Sequence, residues 1–208
     1  MKTRSLFRRI ALILMAAMVM VTLTSCGGDG QASGYNIMVA SGYVDGEALE
    51  SFGETLKQEI PELASEEVNV SFSSTILGSA DTDPMMNMGA LVGFDAKVAA
   101  GEITVAIFDK ESAAREARGG IFRPISEILT EEDMEKLEGK LIDYETVDEQ
   151  GNPDGGRTEV VGVDISDNEA LTPVMGAGEK GIFVVAGQEH DELTRKLILH
   201  LAGIDSQK

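Results

Sequence analysis

Two aspartates stand where short apolar runs end. Asp109 follows residues 103–108, and Asp164 follows Val161-Gly162-Val163. A carboxylate at a strand end can accept a ligand's hydroxyl or amine. Asp109 could also cap a helix beginning at Lys110, and the cap is the simpler expectation. Were Asp109 and Asp164 close together, they would form the carboxylate pair that a hydrolase needs; spacing alone leaves that open. Tyr43 could stack on a sugar or cover a sheet edge. The two histidines, His190 and His200, sit ten apart on one helical stretch, roughly on opposite sides, and cannot chelate a single metal within it. Met85, Met86 and Met88 offer thioethers of the kind that bind copper(I). Met85 and Met88 share a helical face, however, and core packing is the simpler expectation. No metal site and no cofactor is therefore expected.

Two other motifs read as turns. Gly176-Ala177-Gly178-Glu179-Lys180-Gly181 fits a dinucleotide fingerprint but precedes an apolar run, so no helix N-terminus would meet a pyrophosphate. From Asp148 to Glu159, acidic or amide groups fall at calcium-loop positions one, three, five, seven and twelve. Pro153 occupies the place of the required glycine, and Asn152-Pro153-Asp154-Gly155 reads as an ordinary turn. Gly-x-Ser-x-Gly, His-Glu-x-x-His and P-loop patterns are absent.

Composition narrows the classes. The 208 residues carry 17 Lys+Arg against 36 Asp+Glu, a net charge of −19, which argues against nucleic acid as a partner. A hydrophobic fraction of 43% is ordinary for a folded domain and too high for a disordered acidic chain. One cysteine excludes an intramolecular disulfide and a Cys-based zinc site. With so little acid–base material at neutral pH, binding is expected rather than catalysis.

These residues are positioned by alternating strands and helices. Residues 35–41 read as a strand; Asp45 caps a helix carrying Leu49, Phe52, Leu56 and Ile60 at helical spacing, stopped by Pro61. Residues 67–76 alternate as a strand, and Asp83-Pro84 opens a second helix ending near Gly101. Residues 103–108 are a buried strand, followed by a helix over 110–118 and a helical turn at 126–129. Residues 131–139 read as another helix. Residues 141–147 and 158–165 are expected to form a hairpin, with 148–156 as its connection. A last strand at 181–186 precedes an amphipathic helix over 189–202. The pattern predicts one α/β domain over 35–208: an open, mostly parallel sheet flanked by helices. Ligands on such sheets lie beyond the carboxyl ends of strands, at a reversal of strand order. That rule selects Ser41, Gly42, Tyr43, Thr75, Asp109, Asp164 and Ser166.

The N-terminus supplies an address. Lys2, Arg4, Arg8 and Arg9 precede the uncharged apolar run of residues 10–21, at 12 residues short for a membrane span. Leu23-Thr24-Ser25-Cys26 then resembles the bacterial lipobox. The resemblance implies a lipoprotein signal peptide over residues 1–25, cleavage before Cys26, and lipidation of its thiol. The alternative is an incidental cysteine in a signal-like helix. The first 25 residues hold four of the basic side chains and no acidic one, so processing would leave a net charge of −23. Such charge opposes attraction to anionic headgroups, and attachment would come through acyl chains. Residues 26–34, rich in glycine, would be a flexible tether to the cell membrane's extracytoplasmic face.

A family resemblance follows from the order of several stretches. Val98-Ala99-Ala100-Gly101-Glu102-Ile103-Thr104-Val105-Ala106-Ile107-Phe108-Asp109 resembles the middle of the first lobe of extracellular solute-binding proteins. Gly120-Ile121-Phe122-Arg123-Pro124-Ile125-Ser126-Glu127-Ile128-Leu129 is similar to that family's return segment, and Val161-Gly162-Val163-Asp164 stands in the place of its hinge strand. Gly181-Ile182-Phe183-Val184-Val185-Ala186 with the following helix is similar to its late strand and helix. The resemblance implies a fold like one lobe of a type II periplasmic binding protein. It also implies a small polar solute, such as a sugar or peptide, and the permease of an ABC transporter as partner. Only residues 166–180 separate hinge strand from last strand, too few for a second lobe. The other expectation is therefore an envelope interaction lipoprotein that has lost ligand binding.

Overall fold

The computed structural model describes residues 33–78, 82–185 and 190–204. The signal-peptide and Cys26 expectations, and the tether as far as residue 32, lie outside those residues, as does residue 186 of the expected last strand; Ser33 and Gly34, expected in the tether, instead open the first strand. Strand β1 (Ser33–Ser41) is followed by helix α1 (Gly46–Glu59), a 3-10 turn (Pro61–Ala64) and strand β2 (Val68–Ile76). Helix α2 (Pro84–Ala99), strand β3 (Val105–Asp109) and helix α3 (Lys110–Arg118) come next. After α4 (Glu131–Lys136) the chain forms four strands: β4 (Leu141–Ile142), β5 (Glu145–Val147), β6 (Pro153–Arg157) and β7 (Gly162–Asp164). The short α5 (Thr172–Met175), strand β8 (Lys180–Val184) and α6 (Asp191–Leu201) complete the fold. No helix among the described residues is long and apolar enough to cross a membrane.

Helix boundaries follow local chemistry. Asp45 accepts a hydrogen bond from the Ala48 amide at 2.9 Å and starts α1. Asp83 does the same for the Met86 amide at 3.2 Å, with Pro84 in the first turn of α2. Helix α1 buries Leu49, Phe52 and Leu56 against the sheet. Each such side chain contributes about 1.5–3 kcal/mol on burial.

The six-stranded sheet has the order β2-β1-β3-β8-β7-β4. β1 pairs in parallel with both β2 and β3, whereas the β3–β8, β8–β7 and β7–β4 pairs are antiparallel. The open sheet flanked by helices is thus as expected, with its parallel character confined to one half. The expected long hairpin is divided. Leu141 and Ile142 pair with β7 inside the main sheet, while β5 and β6 form a separate two-stranded ribbon. Pro153-Asp154-Gly155 therefore belongs to strand β6 and not to the turn. The turn lies just before it, where the Asp148 amide donates to the Asn152 carbonyl at 2.8 Å.

Side-chain alternation along the strands creates two cores. On one face, Ile37, Val39, Val105, Ile107, Val163, Ile182 and Val184 pack with α1, α5 and α6. On the other, Met38, Ala40, Ala106, Phe108 and Phe183 pack with α2 and α3. Phe94, Phe108, Phe122 and Phe183 make an aromatic cluster there, with Phe122 and Phe183 stacked at 4.6 Å. Gly162 is required by this cluster, because a Cβ at that position would fall 2.5 Å from the Phe183 ring.

Candidate functional site

The strand order reverses at β1. From β1 the chain passes through α1 to β2 on one side; from β2 it passes through α2 to β3 on the other. The crevice between the carboxyl ends of β1 and β3 is the topological switch point. One hydrogen bond spans it: the Gly42 amide donates to Asp109 Oδ2 at 3.1 Å. Asp109 holds the N-cap position of α3 yet makes no cap bond to its own helix. The capping role expected of it is therefore corrected, since the carboxylate serves the neighbouring strand end instead.

A groove of about 620 Å³ opens here, lined by Gly42, Leu77, Gly78, Asn87, Leu91, Asp109, Glu111, Ser112, Ala114, Arg115 and Arg118. Leu77 and Leu91 are buried and give it an apolar floor. The first turns of α3 bring Glu111, Ser112 and Arg115 onto one wall, and α2 brings Asn87 onto the other. Asn87 Nδ2 donates to the Gly78 carbonyl at 2.5 Å, holding the loop after β2 against the start of α2. A side chain at Gly78 would collide with the Asp83 carbonyl at 2.6 Å and the Asn87 amide at 2.7 Å, so the turn requires glycine. Arg118 Nε donates to the Glu145 carbonyl at 2.8 Å and ties the β5–β6 ribbon to α3.

Of the residues selected from sequence, Gly42 and Asp109 line this groove. The other five stand elsewhere on the same sheet end or close to it. Ser41 is buried at 2% exposure and turns toward the aliphatic face. Tyr43 is exposed, its hydroxyl donating to Asp45 Oδ2 at 3.2 Å. Thr75 sits on edge strand β2 opposite Ala40. Asp164 Oδ2 accepts from Lys110 Nζ at 2.8 Å, and its Oδ1 accepts from the Ser166 amide at 2.8 Å. Partial burial works to raise Asp164, but the bonds from Lys110 and Ser166 outweigh it and hold the carboxyl below its usual range. Ser166 Oγ in turn accepts from the Lys180 amide at 2.9 Å. Asp109 lies opposite Lys180 and Asp164 opposite Gly181, so β8 separates the two aspartates. Two strand spacings are about 10 Å. They do not form a hydrolytic pair.

Sequence reasoning missed Asn87, Ser112, Arg115 and Arg118. Ser112, Arg115 and Arg118 recur every three residues after the strand-end Asp109, a spacing that places them along one side of a helix starting at the crevice. It also missed Lys180, a lysine with 1% exposure whose Nζ donates to the Gly178 carbonyl at 3.0 Å.

The remaining motifs resolve locally. Asp148 Oδ1 accepts from the Gln150 and Asn152 amides, both at 2.9 Å, and so is spent within its own turn. No group of three or more His, Cys, Asp or Glu side chains suited to a metal occurs among the described residues. Met85 and Met88 are 85% and 61% exposed, so the expected core packing is corrected. With Met86 and Val92 they give α2 an exposed apolar stretch, while Ile76, also exposed, pairs with Ser41 and faces the other side of the sheet.

Comparison of the chain with protein-family models, with curated proteins and with solved structures finds no match.

Proposed function

We propose that the chain binds a small polar solute in the groove beyond β1 and β3, as a membrane-anchored extracytoplasmic lipoprotein serving an ABC importer. The observation that carries this reading is the coincidence of the groove with the switch point. A crevice of about 620 Å³ falls in the size range of small-ligand sites, with an apolar floor and a few polar groups. Its charges have both signs, Asp109 and Glu111 against Arg115 and Arg118. That mixture suits a zwitterionic solute such as an amino acid or short peptide better than a neutral sugar. The lipobox-like segment and the family resemblance support the location and the partner; a fold like one lobe of a type II periplasmic binding protein is part of the same reading.

The test is a thermal-shift screen of the full chain in mild detergent against amino acids, short peptides, sugars and divalent metals. A ligand that binds only the folded state raises the melting temperature by mass action. Asp109→Asn should remove the shift, while Asp164→Asn should leave it in place. A screen that is flat at millimolar ligand would sink the reading.

The alternative is an envelope interaction lipoprotein without a solute. The exposed stretch of Met85, Met86, Met88 and Val92 on α2 favours it, since clustered exposed apolar groups mark contact sites.

A further inference from the structure

Helices α2 and α3 meet through an incomplete polar contact. Asp95 of α2 and Glu116 of α3 lie within hydrogen-bonding reach of each other. The Glu116 side chain is only 3% exposed and that of Asp95 33%. Asp95 Oδ1 and Glu116 Oε1 are both buried without a hydrogen-bond donor. Arg115 reaches toward both carboxylates. Its Nη2 donates to Asp95 Oδ2 at 3.2 Å, and its Nη1 stands 3.2 Å from Glu116 Oε1, out of line for a hydrogen bond.

Two ionised carboxylates against one guanidinium leave one negative charge in excess and a donor missing. Orphaned buried acceptors are costly, and like charges at this range repel. A single proton cures both defects, because a neutral Glu116 donates to Asp95. We propose that Asp95 and Glu116 form a proton-binding site that clamps α2 to α3 when occupied and loosens that contact when empty. The charged groups acting on Glu116 are Asp95 from α2 and Arg115 from its own helix. Burial first, and then the bond to Asp95, push the Glu116 carboxyl up to about 7. Arg115 also lines the groove, as do Asn87 and Leu91 of α2 and Ser112 of α3. Release of the proton therefore frees both walls of the crevice, whichever solute it takes.

The sign follows from linkage. Between the ordinary glutamate range and about pH 7 the folded chain binds more protons than the unfolded one. Stability therefore falls as pH rises through that window. In the full chain, carbon-13 NMR should show the Glu116 carboxyl titrating near neutrality, and Asp95→Asn should return its midpoint toward 4.5. The melting temperature should fall from pH 5 to pH 8 in the wild type. In Glu116→Gln, whose amide donates at every pH, that fall should be largely lost. Amide exchange in α2 and α3, corrected for intrinsic rates, should quicken across the same window in the wild type only. A Glu116 midpoint near 4.5 in the wild type would overturn the site, and so would an unchanged melting slope in Glu116→Gln. Exchange rates indifferent to pH would overturn the clamp. Should the variant fail to fold, the wild-type titration and exchange decide alone.

Discussion

The two faces of the sheet solve their polar bookkeeping differently. On the aliphatic face, a buried Tyr35 hydroxyl meets Thr194 Oγ1 at 2.9 Å. Asp133 receives Arg195 through two bonds at 2.6 and 2.9 Å, while the Thr130 hydroxyl and amide complete its carboxylate. Among the described residues no buried side-chain acceptor on that face lacks a donor, and the start of α4 is locked to the side of α6. On the aromatic face, the Asp95–Glu116 pair lacks a donor, Met85 and Met88 project into solvent, and the groove opens between α2 and α3. One face is finished as structure. The other carries the unsatisfied groups and exposed apolar surface that a binding partner, a solute or a proton would complete.

The contrast is one of polar pairing and not of packing, so it fails most sharply if the aromatic cluster proves loosely packed. Phe183 has no exposure and contacts Phe108, Phe122 and Tyr144. Phe183→Ala should cost about 3–5 kcal/mol in urea unfolding. A loss below 1 kcal/mol would show a loose core on that side. Next in size comes the aliphatic face's ion pair. The bonds from Arg195 hold Asp133 well below the carboxylate range, at about 2, against an ordinary value of 3.8. Its contribution is present above about pH 4 and is lost as pH falls toward 2. Asp133→Ala should cost about 2 kcal/mol at neutral pH and flatten the acid limb of the stability profile. An unchanged acid limb would remove the pair from the account. The smallest effect belongs to the exposed stretch of α2: Met85→Gln with Met88→Gln should shift stability by no more than about 0.5 kcal/mol. A large loss would mean that these side chains are core after all.

Much of this architecture is legible in the residues alone. Asp45 and Asp83-Pro84 announce their helices because capping needs only a few neighbouring atoms. The uninterrupted apolar run before Asp109 betrays a strand buried on both faces. The switch-point rule then found Gly42 and Asp109. What stayed hidden depends on partners distant in sequence. Nothing local tells Asp109 to leave its own helix for the Gly42 amide 67 residues earlier. Nor does spacing reveal that Asp95 and Glu116, on different helices, face each other. The predicted hairpin divided because Glu145–Val147 pairs with the nearby Pro153–Arg157, leaving only Leu141 and Ile142 beside β7, whose other edge takes β8. Met85 and Met88 show the limit of periodicity: it placed them on one face and could not say what that face meets.

The sheet's two borders are unequal. β4 ends it with two residues, whereas β2 ends it with nine, none of them fully buried. A border strand of that length presents a row of open amides and carbonyls to any extended segment that comes alongside. A chain of net charge −19 resists close approach by copies of itself. That protection reaches only about 10 Å at 0.1 M salt and shrinks further above it. Concentrated, salty solutions are therefore the conditions under which β2 first becomes a seed for aggregation, and dilute, low-salt handling is the remedy.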